Sequence, residues 1–213
     1  SDISENTKHI GHGMMSLTTG KMGSRKGNVI TTEVFIEEVK KLVDEKIKDR
    51  DFDKAEKEKL SEEVAIAAVK YQILRQAIGG DIIYDPEKSV SFEGDSGPYL
   101  QYACVRACTV LKKAEEAGIS KKVTSLPEEV TLLEKLLLRF PEVVTRARTE
   151  NGPHYVVTYL TELASTFNSY YANNLIIDLK NPLSPYRVAL THAFVDVMKN
   201  GLWLLGIKVP ERM

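Results

Sequence analysis

The sequence predicts a mainly α-helical protein, in which a small segment of strand and loop and two long helices precede a helical bundle. Two observations predict this fold class. After residue 31, apolar residues recur every three or four positions over most of the chain, which is the period of an amphipathic helix. Patterns typical of strands are short and occur only before residue 31 and over residues 82–93. The 213 residues, 43% of them hydrophobic, suffice for one large or two modest domains.

The first half of the chain combines the strand-like segments with two helices. Thr31 and Thr32 followed by Glu33 form a helix start signal, and two adjacent glycines stop the second helix. In chain order, the predicted elements are a strand from His9 to Leu17, a short strand at Val29 and Ile30, a helix from Thr31 to Arg50, a helix from about Lys54 to Ile78, and an irregular or β segment from Ile82 to Glu93.

The second half has a purely helical pattern with short connections, which is typical of an all-α bundle. Pro98 stands where the first of these helices begins, and Gly118 is a plausible stop. The predicted helices are Pro98 to Gly118, Leu126 to Arg148 with Pro141 as a candidate kink, Pro153 to Asn173, and Ser184 to Leu205.

The overall charge places a condition on any nucleic-acid site. The formal net charge is −1, so nucleic-acid binding would require a local basic patch. No apolar run reaches the roughly 20 residues that a membrane helix needs, and no signal peptide pattern opens the chain.

Cys104 and Cys108 lie four apart on a predicted helix, which favours two reduced thiols and a cytoplasmic location. With His9 and His12 they match no usual zinc spacing, so no metal site is predicted.

The most informative local feature is a basic, glycine-rich loop. Lys21, Arg25 and Lys26 lie within six residues and alternate with glycines that allow close backbone approach to a ligand. Such a loop suits a polyphosphate whose charge grows in a transition state. It is not a P-loop, because the required spacing is missing. Taken alone, it could equally be a solvated turn.

Three stretches together resemble one protein family. They are Lys21 to Val29, Ser91 to Ala103, which reads SFEGDSGPYLQYA, and Asn200 to Met213. On these residues the chain resembles the C-terminal portion of the arginyl-tRNA synthetases, which are class I aminoacyl-tRNA synthetases. The resemblance implies that residues 1–93 are the C-terminal edge of a catalytic domain and residues 94–213 a helical anticodon-binding (DALR) domain. The region Arg187 to Leu190 is a loose version of the motif that names this domain.

The resemblance also implies a function. The parent enzyme would join arginine to tRNA(Arg) with ATP, in the presence of Mg²⁺, with no membrane or DNA partner and no metal bound to this part. The basic loop resembles the family's signature loop, with Lys21, Arg25 and Lys26 as candidate catalytic cations. Nucleotide contacts are expected from Lys21 through Arg25, including Met22, Gly23 and Ser24.

A second signature of the class is missing in its usual place. The tetrapeptide from His9 to His12 spells it, but it lies only about ten residues before the basic loop and is interpreted as a coincidence. The chain is therefore expected to be a fragment that is inactive alone.

The resemblance places anticodon contacts at Tyr99, Arg106, Tyr171 and Met213, with Gln101 as a weaker candidate. Aromatic side chains stack on unpaired bases, and a guanidinium can bind phosphate or base. Tyr99 and Arg106 are seven apart and share a helix face. The alternative is packing: Tyr99 could be a core residue and Arg106 a surface ion pair. A packing stripe is predicted for Tyr155, Tyr159, Leu163 and Phe167, with Tyr171 at its exposed end.

Two other interpretations remain open at this stage. A free-standing helical RNA-binding or scaffold protein could use the same bundle without catalysis. Against this, the chain starts abruptly before an apolar strand that needs sheet neighbours. A related synthetase of another specificity, such as the cysteinyl enzyme, is a narrower alternative, which the Gly94–Ala103 stretch and the ending Pro210 to Met213 disfavour.

Overall fold

The computed structural model describes Glu5 and residues 7–11, 13–18 and 31–213. The basic loop from Lys21 to Asn28, the predicted strand at Val29 and Ile30, and His12 lie outside the described residues. All statements below about the structure refer to the described part of the chain.

Two short parallel strands form the only sheet among the described residues. Strand β1 (Met15–Leu17) pairs with β2 (Ile82–Tyr84), with Met15 opposite Ile82. The observed strand β1 is shorter than the predicted span from His9 to Leu17. In β2, Tyr84 is fully buried while Ile83 is 66% exposed, so the sheet covers the helices with one face and leaves the other open.

Two long helices connect these strands. Helix α1 (Thr32–Ile47) begins at Thr31, whose hydroxyl accepts a hydrogen bond from a backbone amide of the first turn. Helix α2 (Lys54–Leu74) begins with a capping box between Asp53 and Glu56. It ends at Leu74 rather than at the predicted Ile78, because residues 77–80 already form the turn that leads into β2.

The segment after β2 is mixed. A short helix α3 (Pro86–Ser89) starts at Asp85, and the Ser89 hydroxyl bonds the buried Tyr84 hydroxyl at 2.7 Å. The predicted irregular or β segment from Ile82 to Glu93 therefore contains one strand and one helical turn.

Five helices form the bundle in the described C-terminal part: α4 (Gly97–Glu116), α5 (Leu132–Leu138), α6 (Phe140–Glu150), α7 (His154–Asn173) and α8 (Ser184–Leu204). The mainly helical prediction is confirmed.

The prediction of a single helix from Leu126 to Arg148 is wrong. This part of the chain forms two helices that meet at Arg139, because Pro141 lacks an amide hydrogen and cannot continue the ladder of α5. Residues 126–130 are not helical, since α5 begins only at the capping box of Thr131 and Glu134.

Helix α4 lies between the two parts of the fold. One face packs on α7 and α8 in the main core, and another packs on α2. At the crossing with α2, a Cβ on Gly97 would lie 2.2 Å from the carbonyl oxygen of Ala67. Glycine at this position therefore permits a close approach of the two helices, which holds the bundle against the N-terminal helices.

The predicted packing stripe on α7 is correct except at its start. Tyr159, Leu163 and Phe167 are buried. Tyr155 is only partly buried and does not belong to the main core; its hydroxyl donates to Glu150 instead.

The two cysteines are free, as predicted. Cys104 is buried in the main core, and Cys108 packs against it. None of the helices in the described part of the chain has the length and hydropathy needed to cross a bilayer.

Candidate nucleic-acid interface

A groove of about 690 Å³ opens between α4, the C-terminal end of α7 and the last residues of the chain. Three of the four predicted RNA-contacting residues, Arg106, Tyr171 and Met213, line it. The rest of the lining consists of Arg50, Tyr102, Val105, Thr109, Val110, Lys113 and the segment 172–177.

The groove wall from α4 is one polar face of a helix. The Ser96 hydroxyl accepts a hydrogen bond from the Tyr99 amide at 3.0 Å, which starts the helix just before this face. Tyr102, Arg106 and Lys113 follow at spacings of four and seven, so they project from the same side. The opposite side of α4 is buried in the core, which sets the orientation of this polar face.

Arg106 is the centre of the site. Its guanidinium donates to the Asn168 side-chain oxygen at 3.3 Å and to the Tyr102 hydroxyl at 3.2 Å. Its central carbon lies 4.8 Å from the ring centroid of Tyr102 and 5.9 Å from that of Tyr171. A guanidinium has five N–H donors. Two are used here, so a positioned cation keeps donors for a ligand.

Tyr99 reaches this centre indirectly. It does not line the groove, and its ring packs against the main core. Its hydroxyl accepts a hydrogen bond from the Asn168 amide at 3.0 Å, and Asn168 in turn accepts from Arg106. The structure thus joins Tyr99 to Arg106 through Asn168 and places Tyr99 behind the groove wall.

Tyr171 is the outermost ring of an aromatic stack. The Phe194 and Phe167 rings lie 3.9 Å apart with planes 9° from parallel, and Tyr171 lies 6.3 Å from Phe167 at 19°. Both phenylalanines are fully buried, whereas Tyr171 is 39% exposed. A ring that is supported from the core and open to solvent is a suitable platform for a planar ligand. The adjacent Tyr170 packs against the core instead.

Two side-chain amides that line the groove donate hydrogen bonds to backbone carbonyls near the end of α7. Asn173 donates to the Ser169 carbonyl at 2.8 Å and Asn174 to the Tyr170 carbonyl at 2.9 Å. The C-terminal end of a helix disfavours anions. This end of the groove therefore suits a base better than a phosphate.

The cations of the groove lie on α4 and on the turn between α1 and α2. Among the described residues, Arg50, Arg106 and Lys113 line it, and no aspartate or glutamate side chain does. None of the ion pairs among the described residues involves these three cations. In a chain with a net charge of −1, this is the local basic patch that nucleic-acid binding requires.

Gln101 has a structural role, so its weaker candidacy as an RNA contact is wrong. It is fully buried, and its amide donates to the carbonyl of Lys208 at 2.7 Å and to that of Glu63 at 3.3 Å. Its position on α4 faces α2 and the C-terminal segment rather than the groove.

Sequence reasoning missed four residues of the site: Arg50, Tyr102, Lys113 and Asn168. Helical spacing from Arg106 could have identified Tyr102 and Lys113, which share its face. No local signal marks Arg50, which comes from the turn between α1 and α2.

The candidate catalytic and nucleotide-binding residues Lys21, Met22, Gly23, Ser24, Arg25 and Lys26 lie outside the described residues. Within the described ranges, no group of three or more histidine, cysteine or carboxylate side chains is placed to hold a metal ion.

Two family models match the chain. The model described as DALR anticodon binding domain matches residues 100–213, and the model described as tRNA synthetases class I (R), catalytic domain, matches residues 2–85. The chain is 35% identical to the arginine–tRNA ligase of Pyrococcus furiosus, over 100% of this chain and 36% of that relative. It is 34% identical to the arginine–tRNA ligase of Oenococcus oeni, over 100% of this chain and 38% of that relative.

Solved structures of arginyl-tRNA synthetases are also similar to this chain. The arginyl-tRNA synthetase of Thermus thermophilus superposes with a TM-score of 0.82 at 28% identity, over 99% of this chain and 36% of that one. The Plasmodium falciparum enzyme superposes with a TM-score of 0.72 at 20% identity, which shows the fold alone. The chain thus spans little more than a third of the length of the relatives that it matches.

Proposed function

Because the chain belongs to the arginyl-tRNA synthetase family, we propose that its groove binds the unpaired anticodon loop of tRNA(Arg). The observation that carries this proposal is the lining by the described part of the chain: three cations and no carboxylate side chain, next to an exposed aromatic ring that stacks on a buried one. Single-stranded RNA is recognised by this combination of cations for the backbone and rings for the bases.

The groove supports a division of roles. A splayed base stacks on the outer face of Tyr171, beside the amides that cover the end of α7. Arg106 binds a base edge or the adjacent phosphate with its remaining donors. Lys113, on the α4 wall, contacts a backbone phosphate as a point charge. Met213 closes the groove, and Tyr99 supports Arg106 through Asn168.

We propose residues 1–93 as the edge of the catalytic domain and residues 94–213 as the anticodon-binding domain. Family membership supports a cytoplasmic arginine–tRNA ligase that uses ATP and arginine as the parent activity. Within it, Lys21, Arg25 and Lys26 would stabilise the pyrophosphate that leaves as arginyl-adenylate forms. Met22, Gly23 and Ser24 would supply backbone contacts to the nucleotide. The 213-residue chain by itself is proposed to bind tRNA without charging it.

Binding to anticodon stem-loops tests the anticodon role. We expect the 213-residue chain to bind the arginine stem-loop, with at least a tenfold loss when its anticodon bases are replaced within the same stem. Fluorescence anisotropy at constant salt measures this. Equal affinity for all loop sequences would overturn anticodon recognition, because it would leave only general attraction to RNA.

Pyrophosphate exchange tests the loop role separately. In the complete enzyme, joint replacement of Lys21, Arg25 and Lys26 by alanine should depress ATP–pyrophosphate exchange while leaving stem-loop affinity intact. Normal exchange in that variant would exclude these cations from adenylate formation.

A further inference from the structure

The last residues of the chain are held against the N-terminal helices along their length. Lys70 of α2 donates to the Gly206 carbonyl, and the buried Gln101 donates to the Lys208 carbonyl at 2.7 Å. Pro210 is buried. Chain ends without such contacts are usually frayed, so this terminal segment is ordered by contacts with other parts of the fold.

The turn between α1 and α2 holds the final residues. The guanidinium of Arg212 donates to the Asp51 carbonyl, lies 4.5 Å from the centroid of the Phe52 ring and is 3.9 Å from the Glu56 carboxylate. One residue further, Arg50 donates to the backbone oxygen of Met213 at 3.4 Å. The two arginines thus connect the turn and the terminal segment in both directions.

These contacts determine one wall of the groove. Met213 lines the groove and packs its side chain on the core of α1 and α2. Arg212 does not line the groove. Its contacts can therefore act on a bound RNA indirectly, through the position of Met213, the residue that follows it.

The contact also connects the two parts of the chain. Arg50 lies in the segment that matches the catalytic-domain model, and Met213 in the segment that matches the anticodon-domain model. The groove is therefore not complete within residues 100–213.

We propose that Arg50 and Arg212 are positioning residues that place Met213 in the groove wall before RNA binds. This inference rests on the proposed function of the groove. An ordered wall avoids the entropic cost of immobilising a flexible segment on binding. Loss of either arginine should therefore weaken RNA binding about 3- to 10-fold, the range expected when one or two side chains must be ordered on binding.

A double-mutant cycle tests the proposal. The variants are Arg212→Ala, Arg50→Ala, Met213→Ala and the two doubles that combine each arginine change with Met213→Ala, all in the 213-residue chain. The affinity for the arginine anticodon stem-loop is measured for each. Arg148→Ala, at an exposed arginine of α6 away from the groove, is the matched control.

If the arginines act through Met213, each single change weakens binding, and neither arginine change weakens it further once the Met213 side chain is gone. Unchanged affinity for Arg212→Ala would overturn the proposal. So would a loss at Arg50 that multiplies with the loss at Met213, since Arg50 would then bind RNA by itself.

A second readout is independent of RNA. The methyl group of Met213, labelled with carbon-13, should gain mobility in Arg212→Ala and keep the wild-type signal in Arg148→Ala. A rigid Met213 methyl in Arg212→Ala would also overturn the proposal. Failure of the proposed function would look different, because Tyr171→Ala would then bind the stem-loop as tightly as the wild type.

Discussion

Tyr171 is the residue at which the proposed function can be tested most directly. Replacing it by alanine removes the outer ring of the stack on Phe167 and Phe194. Base stacking on a protein ring is worth about 1–3 kcal/mol. The expected loss of affinity for the anticodon stem-loop is therefore about 5- to 150-fold, because each 1.4 kcal/mol is about a factor of ten.

The fold should survive this change. Complete burial of a large apolar side chain contributes about 1.5–3 kcal/mol. Since 39% of Tyr171 is exposed, the free energy of unfolding should fall by only about 1–2 kcal/mol, against about 5–15 kcal/mol for a typical domain. Thermal unfolding of the variant checks this, so that a loss of affinity can be assigned to the ring.

Two controls isolate stacking from other effects. Tyr171→Phe keeps the ring and should bind within about twofold of the wild type. Tyr155→Ala removes a partly buried tyrosine of the same helix that also contacts an arginine, outside the groove, and should not change affinity. If Tyr171→Phe binds as weakly as Tyr171→Ala, or if Tyr171→Ala behaves like Tyr155→Ala, stacking on this ring is refuted.

Three further predictions concern charge, packing and pH. Lys113→Ala should reduce the slope of log affinity against log salt concentration by about 0.7. Lys112→Ala, on another face of α4, should leave the slope unchanged. RNA titrations at several salt concentrations measure both slopes. Gly97→Ala should lower the free energy of unfolding by about 1–3 kcal/mol, because its Cβ would overlap a carbonyl of α2. Gly11→Ala, whose Cβ would have no described atom within 4 Å, is the control in urea unfolding. Equal midpoints for the two variants would contradict the close crossing. Burial raises the pKa of Tyr84 to about 12, above the roughly 10 of an unfolded chain. The stabilisation that the neutral Tyr84 hydroxyl provides is thus complete below about pH 10 and is lost as the pH rises towards 12. Urea midpoints that stay constant from pH 9 to 11 would contradict this expectation.

Much of the fold was predictable because it depends on short-range patterns. The helix bounds follow from caps and breakers within one turn, as at Asp53 and Glu56. The division at Arg139 has its cause in Pro141, two residues away, although the sequence indicated only a kink there. The spacing that joins Tyr99 to Arg106 is likewise a property of one helix.

Other features depended on how the helices pack. Gln101 lies between Tyr99 and Tyr102 in the sequence, yet it is fully buried and holds the C-terminal segment. The packing of α4 on α2 decides which residues of that helix face the groove. Tyr99 lies behind the groove wall for the same reason, because Asn168 of α7 stands between it and Arg106.

The sequence by itself determined that the chain is mainly helical and which family it resembles, and it supplied the candidate RNA contacts on one face of α4 and at the end of α7, which remain a prediction. Only the tertiary structure decided that Arg50 and Met213, 163 residues apart, meet at the same groove. The physical reason is the range of the interactions. Caps, breakers and helical periodicity act over a few neighbouring residues, whereas the contact between a helix turn and a chain end exists only after every helix between them has packed.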